Sequence, residues 1–218
     1  MFLTRFEMNS ARRDAKKLLG SPQAMHAAVL SSFPSTREPS AGRVLWRVDE
    51  SGPHTWLYIV GPHHPDLAHL VEQAGWPTID TVRTRPYGPL LDSLEKGARW
   101  GFRLTANPTR STRIGDSTRS QRVGHVTAQQ QTDWFLERAT SWGITLPETE
   151  YGPAVVVHNR KTWQFNRKGA RVTIATATFD GEFIIEDPEQ VRMSLSAGIG
   201  PAKAYGCGLM TLAPLRRA

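Results

Sequence analysis

The feature that most restricts how this chain can fold is the order in which strand and helix patterns follow one another. Phe2 to Met8 reads as a strand. A helical stretch follows from Ala11 to Leu19, with Asn9 or Ser10 available as its cap and Gly20 as its stop. Ser21-Pro22 opens a second helix, an N-cap oxygen ahead of a proline at the first helical position, and Met25, Val29 and Phe33 form its apolar stripe. Arg43 to Val48 and Thr55 to Val60 read as strands joined through a Gly52-Pro53 turn. Asp66 to Ala74 reads as a helix ended by Gly75, and Ile79 to Thr84 as a strand.

After Pro86-Tyr87-Gly88-Pro89 the same order returns. Ala98 to Ala106 is a strand, and Thr127 with Gln130 makes a capping box for a helix to Trp142. Val155 opens a strand that runs into a hairpin over His158 to Arg171 and continues through Val172 to Phe179. Asp187 caps a helix to Ala197, and Leu209 to Ala213 is the last strand. Two strand–helix–strand–strand–helix–strand units predict an α+β protein of two tandem ferredoxin-like (RRM-like) βαββαβ domains, each a four-stranded antiparallel sheet with helices on one face. The predicted division is residues 1–88, a linker at 89–97, and residues 98–218. The aromatic sheet motif of RNA-recognition modules is absent, so bases stacked on a sheet face are not expected.

Charge indicates the partner. Lysine and arginine number 27 against 20 acids, a formal net charge of +7 and a pI of about 10.0. The cations cluster, as a nucleic-acid partner requires. Arg12, Arg13, Lys16 and Lys17 recur at helical spacing and are expected on one face. Thr109 to Gln121 is polar, lacks periodicity, carries Arg110 and Arg113, and reads as a mobile basic loop. Arg160, Lys161, Arg167 and Lys168 surround Trp163 and Phe165 in the expected hairpin, giving a basic, aromatic-interleaved element. No run of 18 apolar residues and no cleavable apolar leader is present, and the single Cys207 cannot form an internal disulfide. A cytoplasmic protein without a membrane partner is expected.

The run from Gly198 to Thr211 concentrates Gly198, Gly200, Gly206 and Gly208 around one cation, Lys203. It has two readings. One is a helix C-cap at Gly198 followed by a tight turn into a strand. The other is a cradle of backbone N–H groups and Lys203 for an anion. Neither the dinucleotide fingerprint nor the NTPase phosphate loop fits.

The spacing Gly-x-Gly-x-x-x-x-Tyr-Gly-x-Gly-Leu over residues 198–209 resembles the glycine-rich loop of the CRISPR-associated precursor-RNA endoribonucleases. Three more segments are similar to the CasE type, the subunit of type I-E Cascade: Met1-Phe2-Leu3-Thr4, Pro22-x-x-Met25-His26, and Phe102-Arg103-Leu104-x-Ala106-Asn107-Pro108. The four segments span nearly the whole chain in the family's order. The resemblance implies cleavage of CRISPR precursor RNA at the base of the repeat stem-loop, with His26 catalytic, the product retained, and DNA left uncut. It also implies repeat RNA, mature crRNA and other Cascade subunits as partners, and a basic hairpin against the stem, for which Arg160 to Arg171 is the candidate.

Some members carry a tyrosine three residues before the histidine and a lysine five after. This chain has Gln23 and Ser31 there. The second catalytic group therefore stands open among Gln23, Lys16, Lys17 and Lys203, and a repeat-RNA-binding subunit without catalysis is the alternative. A small-molecule regulator on ferredoxin-like domains is a third reading, against which the basic clusters count. No paired acids at ligand spacing and no Ser-His-Asp elbow appear, so neither a metal nor a cofactor is expected, and nothing marks Cys207 as a nucleophile. A histidine beside basic surface suits metal-free RNA cleavage by the adjacent 2′-hydroxyl.

Overall fold

The computed structural model describes residues 1–33, 43–113, 120–167 and 169–215. The first half runs β1 (Phe2–Met8), α1 (Arg13–Leu19), α2 (Pro22–Ser31), β2 (Leu45–Ser51), β3 (His54–Gly61), α3 (Ala68–Ala74) and β4 (Arg83–Pro86), followed by a short helix α4 (Gly88–Asp92). The second half runs β5 (Arg99–Ala106), β6 (Thr109–Arg113), β7 (Ser120–Gly124), α5 (Ala128–Ala139), β8 (Ile144–Thr145), β9 (Glu148–Thr149), β10 (Gly152–Pro153), β11 (Val155–Arg167), β12 (Ala170–Ile185), α6 (Pro188–Ala197) and β13 (Met210–Pro214).

The first sheet has the order β2-β3-β1-β4 and the second β11-β12-β5-β13, with β8 added beside β12. Every pairing in both is antiparallel. These are the same topology, the first strand lying between the third and fourth of its unit. The two tandem ferredoxin-like units read from the sequence are therefore present.

Local chemistry accounts for most boundaries. Strict alternation along β1 buries Thr4, Phe6 and Met8. Ser21 Oγ accepts from Ala24 N at 3.2 Å, and Pro22 starts α2. Thr127 and Gln130 form the expected reciprocal box at α5, and Asp187 caps α6.

Three expectations need correction. The first concerns α1, which begins at Arg13 rather than Ala11. Asn9 Oδ1 accepts from Ala11 N at 3.1 Å and makes a turn, leaving Ala11 exposed. Secondly, β4 sits at Arg83–Pro86, later than expected. Asp80 Oδ1 accepts from Val82 N at 3.0 Å, and the Thr4–Thr84 hydroxyl pair at 2.9 Å marks the register against β1. The third is Thr109 to Gln121, whose described residues form a two-stranded antiparallel ribbon. Thr109 pairs with Gly124 and Arg113 with Ser120; residues 114–119 lie outside the described residues.

Two apolar clusters fill the interior among the described residues. Phe6, Met25, Val29, Leu57 and Leu70 belong to the one in the first half. Leu104, Phe135, Phe179, Phe183 and Leu195 belong to the other, which also takes in Leu45 and Val60 from the first sheet. Arg47 on β2, 1% exposed, ties the halves together. It forks onto Asp49 at 2.7 and 2.8 Å and donates to Arg103 O at 2.7 Å, Leu209 O at 2.8 Å and Thr211 Oγ1 at 2.7 Å. A guanidinium can be buried here because its charge is paired and its donors are used.

Candidate functional site

The site is assembled where α2, β2, the glycine-rich run and the tip of the β11–β12 ribbon meet. The α2 helix buries Met25 and Val29, which leaves His26 half-buried at its flank. A ring N–H of His69, on α3, donates to Ala28 O at 2.9 Å and holds the helix from behind. Trp46, buried on β2, donates from Nε1 to His26 Nδ1 at 3.3 Å.

The glycine run is folded tightly on itself. Gly198, Gly200, Gly206 and Gly208 all have positive φ, between 71° and 89°, as does Ala202 at 65°. Gly198 is the C-cap of α6, its N–H on Ser194 O. Ile199 N donates to Gly208 O at 2.9 Å and closes the loop, and Gly208 N donates to Thr105 O at 2.7 Å and anchors it to β5. The C-cap reading is thus correct, and these N–H groups are spent inside the protein. What faces outward is the arc through Lys203–Tyr205, a 3₁₀ turn against α2. Burial first, and the Arg43 cation second, hold the Lys203 ammonium below the usual lysine range. Such a lysine loses less hydration when it meets a phosphate.

The β11–β12 ribbon reaches the same place. Phe165 packs on Tyr205 with ring centroids 5.0 Å apart, and Gln23 Nε2 donates to Asn166 O at 3.4 Å. A bulge between His158 and Lys161, with Asn159 at φ 45°, bends β11. Beneath the ribbon, Trp46, Lys161, Trp163, Tyr205 and Gly206 line a cleft that backs onto α1 and α2.

The expected cations separate into several groups. Arg13 and Lys16 are exposed, Lys17 pairs with Asp14 at 2.7 Å, and that ion pair holds the Asp14 carboxyl below its usual range. Arg12 does not share their face. It precedes α1 and donates to Gly75 O at 3.0 Å, a tie between segments. Arg160 donates to Val126 O at 2.5 Å and Lys161 meets Glu50 at 3.4 Å, and both remain exposed. Arg110 is exposed on β6. Arg113 and Arg167 are placed by backbone alone, at the ends of β6 and β11, and Lys168 lies outside the described residues.

Other chemistry is restricted. Ser31 donates to Ala27 O at 3.0 Å along its own helix. Burial pushes the Cys207 thiol up to about 12, so no thiolate forms near neutral pH. Among the described residues no group of three or more His, Cys, Asp or Glu is placed to hold a metal ion, and no helix is long and apolar enough to cross a membrane.

The sequence reading missed Trp46, which it placed only as a strand residue. Arg122, read as one of the cations of the basic loop, lies on β7 and lines a cleft with Arg138, Gly200 and Pro201. Next to it, His125 is held below the usual histidine range by burial first and then by Arg110 and Arg138.

Comparison with known proteins agrees with this arrangement. Residues 1–214 match the family described as CRISPR associated protein. The chain is 28% identical over 223 residues to the CRISPR-associated endoribonuclease Cse3 of Thermus thermophilus, covering 98% of this chain and all of the relative. It is 26% identical over 193 residues to the CRISPR system Cascade subunit CasE of Escherichia coli, covering 78% of this chain and 94% of the relative. The solved structure of Thermus thermophilus Cse3 bound to an RNA representing a pre-cleavage complex superposes with a TM-score of 0.82 at 29% identity, covering 98% of both chains.

Proposed function

The chain belongs to the CRISPR associated protein family, and from that membership we propose that it is a metal-independent, site-specific endoribonuclease. Its substrate is CRISPR precursor RNA, cut at the base of the repeat stem-loop, and it stays bound to the product. Mature crRNA and other Cascade subunits are its partners, in the cytoplasm. The observation that carries the reading is the packing of α2, which bears His26, against the Lys203–Tyr205 turn, on which the ribbon's Phe165 also rests, in a chain that aligns end to end with an endoribonuclease.

The 2′-oxygen bonds to phosphorus as the bond from phosphorus to the 5′-oxygen breaks. One proton leaves the 2′-hydroxyl and another reaches the 5′-oxygen, giving a 2′,3′-cyclic phosphate and a 5′-hydroxyl. His26 is the proton-transferring side chain. Lys203 stabilises the charge that builds on the phosphate, and Gln23 donates a hydrogen bond to it. Arg13, Lys16, Lys17, Arg110, Arg113, Arg160, Lys161, Arg167 and Lys168 supply phosphate contacts along the stem. The proposed units are residues 1–88 and 98–218 with 89–97 between, each carrying one complete sheet.

A second reading has a specific observation behind it. Gln23 is an amide that cannot transfer a proton near neutral pH, and the Ser31 hydroxyl is engaged with its own helix, so two positions bear no ionisable group. That pattern suits a repeat-RNA-binding subunit without catalysis. Incubating purified protein with cognate repeat RNA in excess EDTA separates the two. A 5′-hydroxyl product, abolished by a single 2′-deoxy nucleotide before the cut, supports the enzyme. Tight binding with no product, with or without Mg²⁺, supports the binding subunit. A strict Mg²⁺ requirement contradicts both.

A further inference from the structure

We propose that Arg43 and Lys203 hold one phosphate of the bound RNA between them, as a two-cation site beside the glycine-rich loop. That this phosphate is the one at the cut rests on the reading given above, whereas the pairing of the two cations does not. The seat of the lysine is visible at Gly198. A Cβ there would stand 2.9 Å from Lys203 Cε, and 2.6 and 3.0 Å from the two methyl carbons of Leu45. The lysine stem and the Leu45 side chain therefore lie together over a bare α-carbon. Gly198 has φ +79°, a conformation side chains rarely adopt. Lower on the stem, Lys203 Cγ is 3.3 Å from where a Cβ of Gly208 would be. The methylenes are thus laid across the loop while the charged head reaches outward.

Leu45 opens β2, and Arg43 stands two residues before it, exposed. The Lys203–Tyr205 turn also packs on β2. Arg43 is thereby brought to the head of the lysine, and its charge is felt there: after burial, it is what holds the Lys203 ammonium below the usual lysine range. Among the described residues neither cation has a carboxylate within ion-pair distance. Two like charges side by side repel, and the half-buried ammonium has given up part of its hydration. One anion relieves both costs. The N–H groups of Ile199 and Gly208 are spent on carbonyls, so side chains and not backbone supply the positive charge. A phosphate suits the pair, because a guanidinium forks onto its oxygens and an ammonium meets them as a point charge. The phosphate is RNA's because the same turn carries Tyr205, on which Phe165 of the basic ribbon rests, so a stem lying along the ribbon passes over it.

The full-length protein and its cognate repeat stem-loop test this. Single phosphates of the RNA are replaced in turn by neutral methylphosphonates, each after a 2′-deoxy nucleotide so that the strand stays intact, and each is compared with its own 2′-deoxy phosphate control. Affinity is measured for wild type, Arg43→Gln and Lys203→Gln. On the controls each variant should bind about tenfold more weakly, the worth of one hydrogen bond to a charged group. On one methylphosphonate RNA, the same for both variants, that loss should vanish, because the phosphate they share carries no charge there. Losses that vanish at two different positions, or at none, overturn the proposal. A second readout needs no RNA. In protein carrying ¹³C at lysine Cε, with Lys203 assigned by its disappearance in Lys203→Gln, Arg43→Gln should raise the Lys203 titration toward the ordinary lysine range, since a like charge has gone. An unmoved titration means that the cations do not meet, and it also overturns the proposal. If both variants share a phosphate away from the cut, or if the wild-type protein cuts nothing, the two-cation site stands and the placing of the cut at Lys203 fails.

Discussion

Gly206 and Gly52 have similar backbones and opposite surroundings, and the contrast isolates what the glycine-rich loop needs. Both have positive φ, +79° and +56°. A Cβ at Gly52 meets nothing within 4 Å, whereas one at Gly206 enters the Trp46 ring. Gly52→Ala should cost about 1 kcal/mol, the left-handed strain alone. Gly206→Ala should cost a further 1 to 3 kcal/mol from overpacking, about 2 to 4 in all, and should also slow cleavage. Urea midpoints of the two variants measure the difference, and equal losses would mean the indole yields freely. At this scale the sequence was informative where spacing carries meaning. The glycine run and the Pro-x-x-Met-His segment were recognisable as strings. Trp46 was not, because its role depends on a contact with a residue 20 positions away, created by the placement of β2 beside α2.

At the scale of elements, apolar periodicity made most of the chain legible. The strands β1 and β5 bury alternate residues, and α2, α5 and α6 begin at caps written in the sequence. The β6–β7 ribbon was read as a mobile loop because its strands are built from Thr, Ser, Gln and Arg. Its order comes from backbone pairing and close packing: a Cβ at Gly124 would lie 2.8 Å from Ala175 Cβ. Two basic ribbons therefore flank the glycine-rich loop, and they can be weighed against each other. Arg160→Ala with Lys161→Ala, and separately Arg110→Ala with Arg122→Ala, should each weaken stem-loop binding. For every phosphate no longer neutralised, the slope of log affinity against log salt should flatten by about 0.7 to 0.9. A pair that leaves the slope unchanged is outside the interface.

The whole molecule holds its site by fixing one half on the other. Arg47 reaches from β2 into β5 and β13, and Asp49 also lies 3.7 Å from Arg103, which in turn forks onto Asp180. Removing one partner of a buried ion pair typically costs about 3 to 5 kcal/mol, so Arg47→Met should lower unfolding stability by that amount, measured in urea. A loss under about 1 kcal/mol would mean the halves do not depend on it. The same network sets an acid limit. Burial, the largest single influence, pushes the Asp180 carboxyl up, but the Arg103 guanidinium and His158 together pull it below its ordinary value. A carboxyl depressed in the folded state stabilises above its unfolded pKa of about 3.9 and loses that contribution as pH falls through the folded value. Wild type should therefore lose stability more steeply than Asp180→Asn below about pH 4. Parallel pH profiles would contradict this. None of the network was visible in sequence, since a strand pattern gives no sign that an arginine on one sheet will find acceptors on another.

A single-turnover assay of His26→Ala on the cognate repeat, in excess EDTA, tests the proposed role of His26 in cleavage most directly. Proton transfer by a positioned side chain is worth about 10² to 10⁴ in rate, so cleavage should slow by that factor. Stem-loop affinity should hardly change, because one imidazole contributes little beside the cations of the two ribbons and α1. A His26→Ala protein that binds the stem-loop and cuts it at the wild-type rate would show the histidine to be structural and would contradict a catalytic role for it.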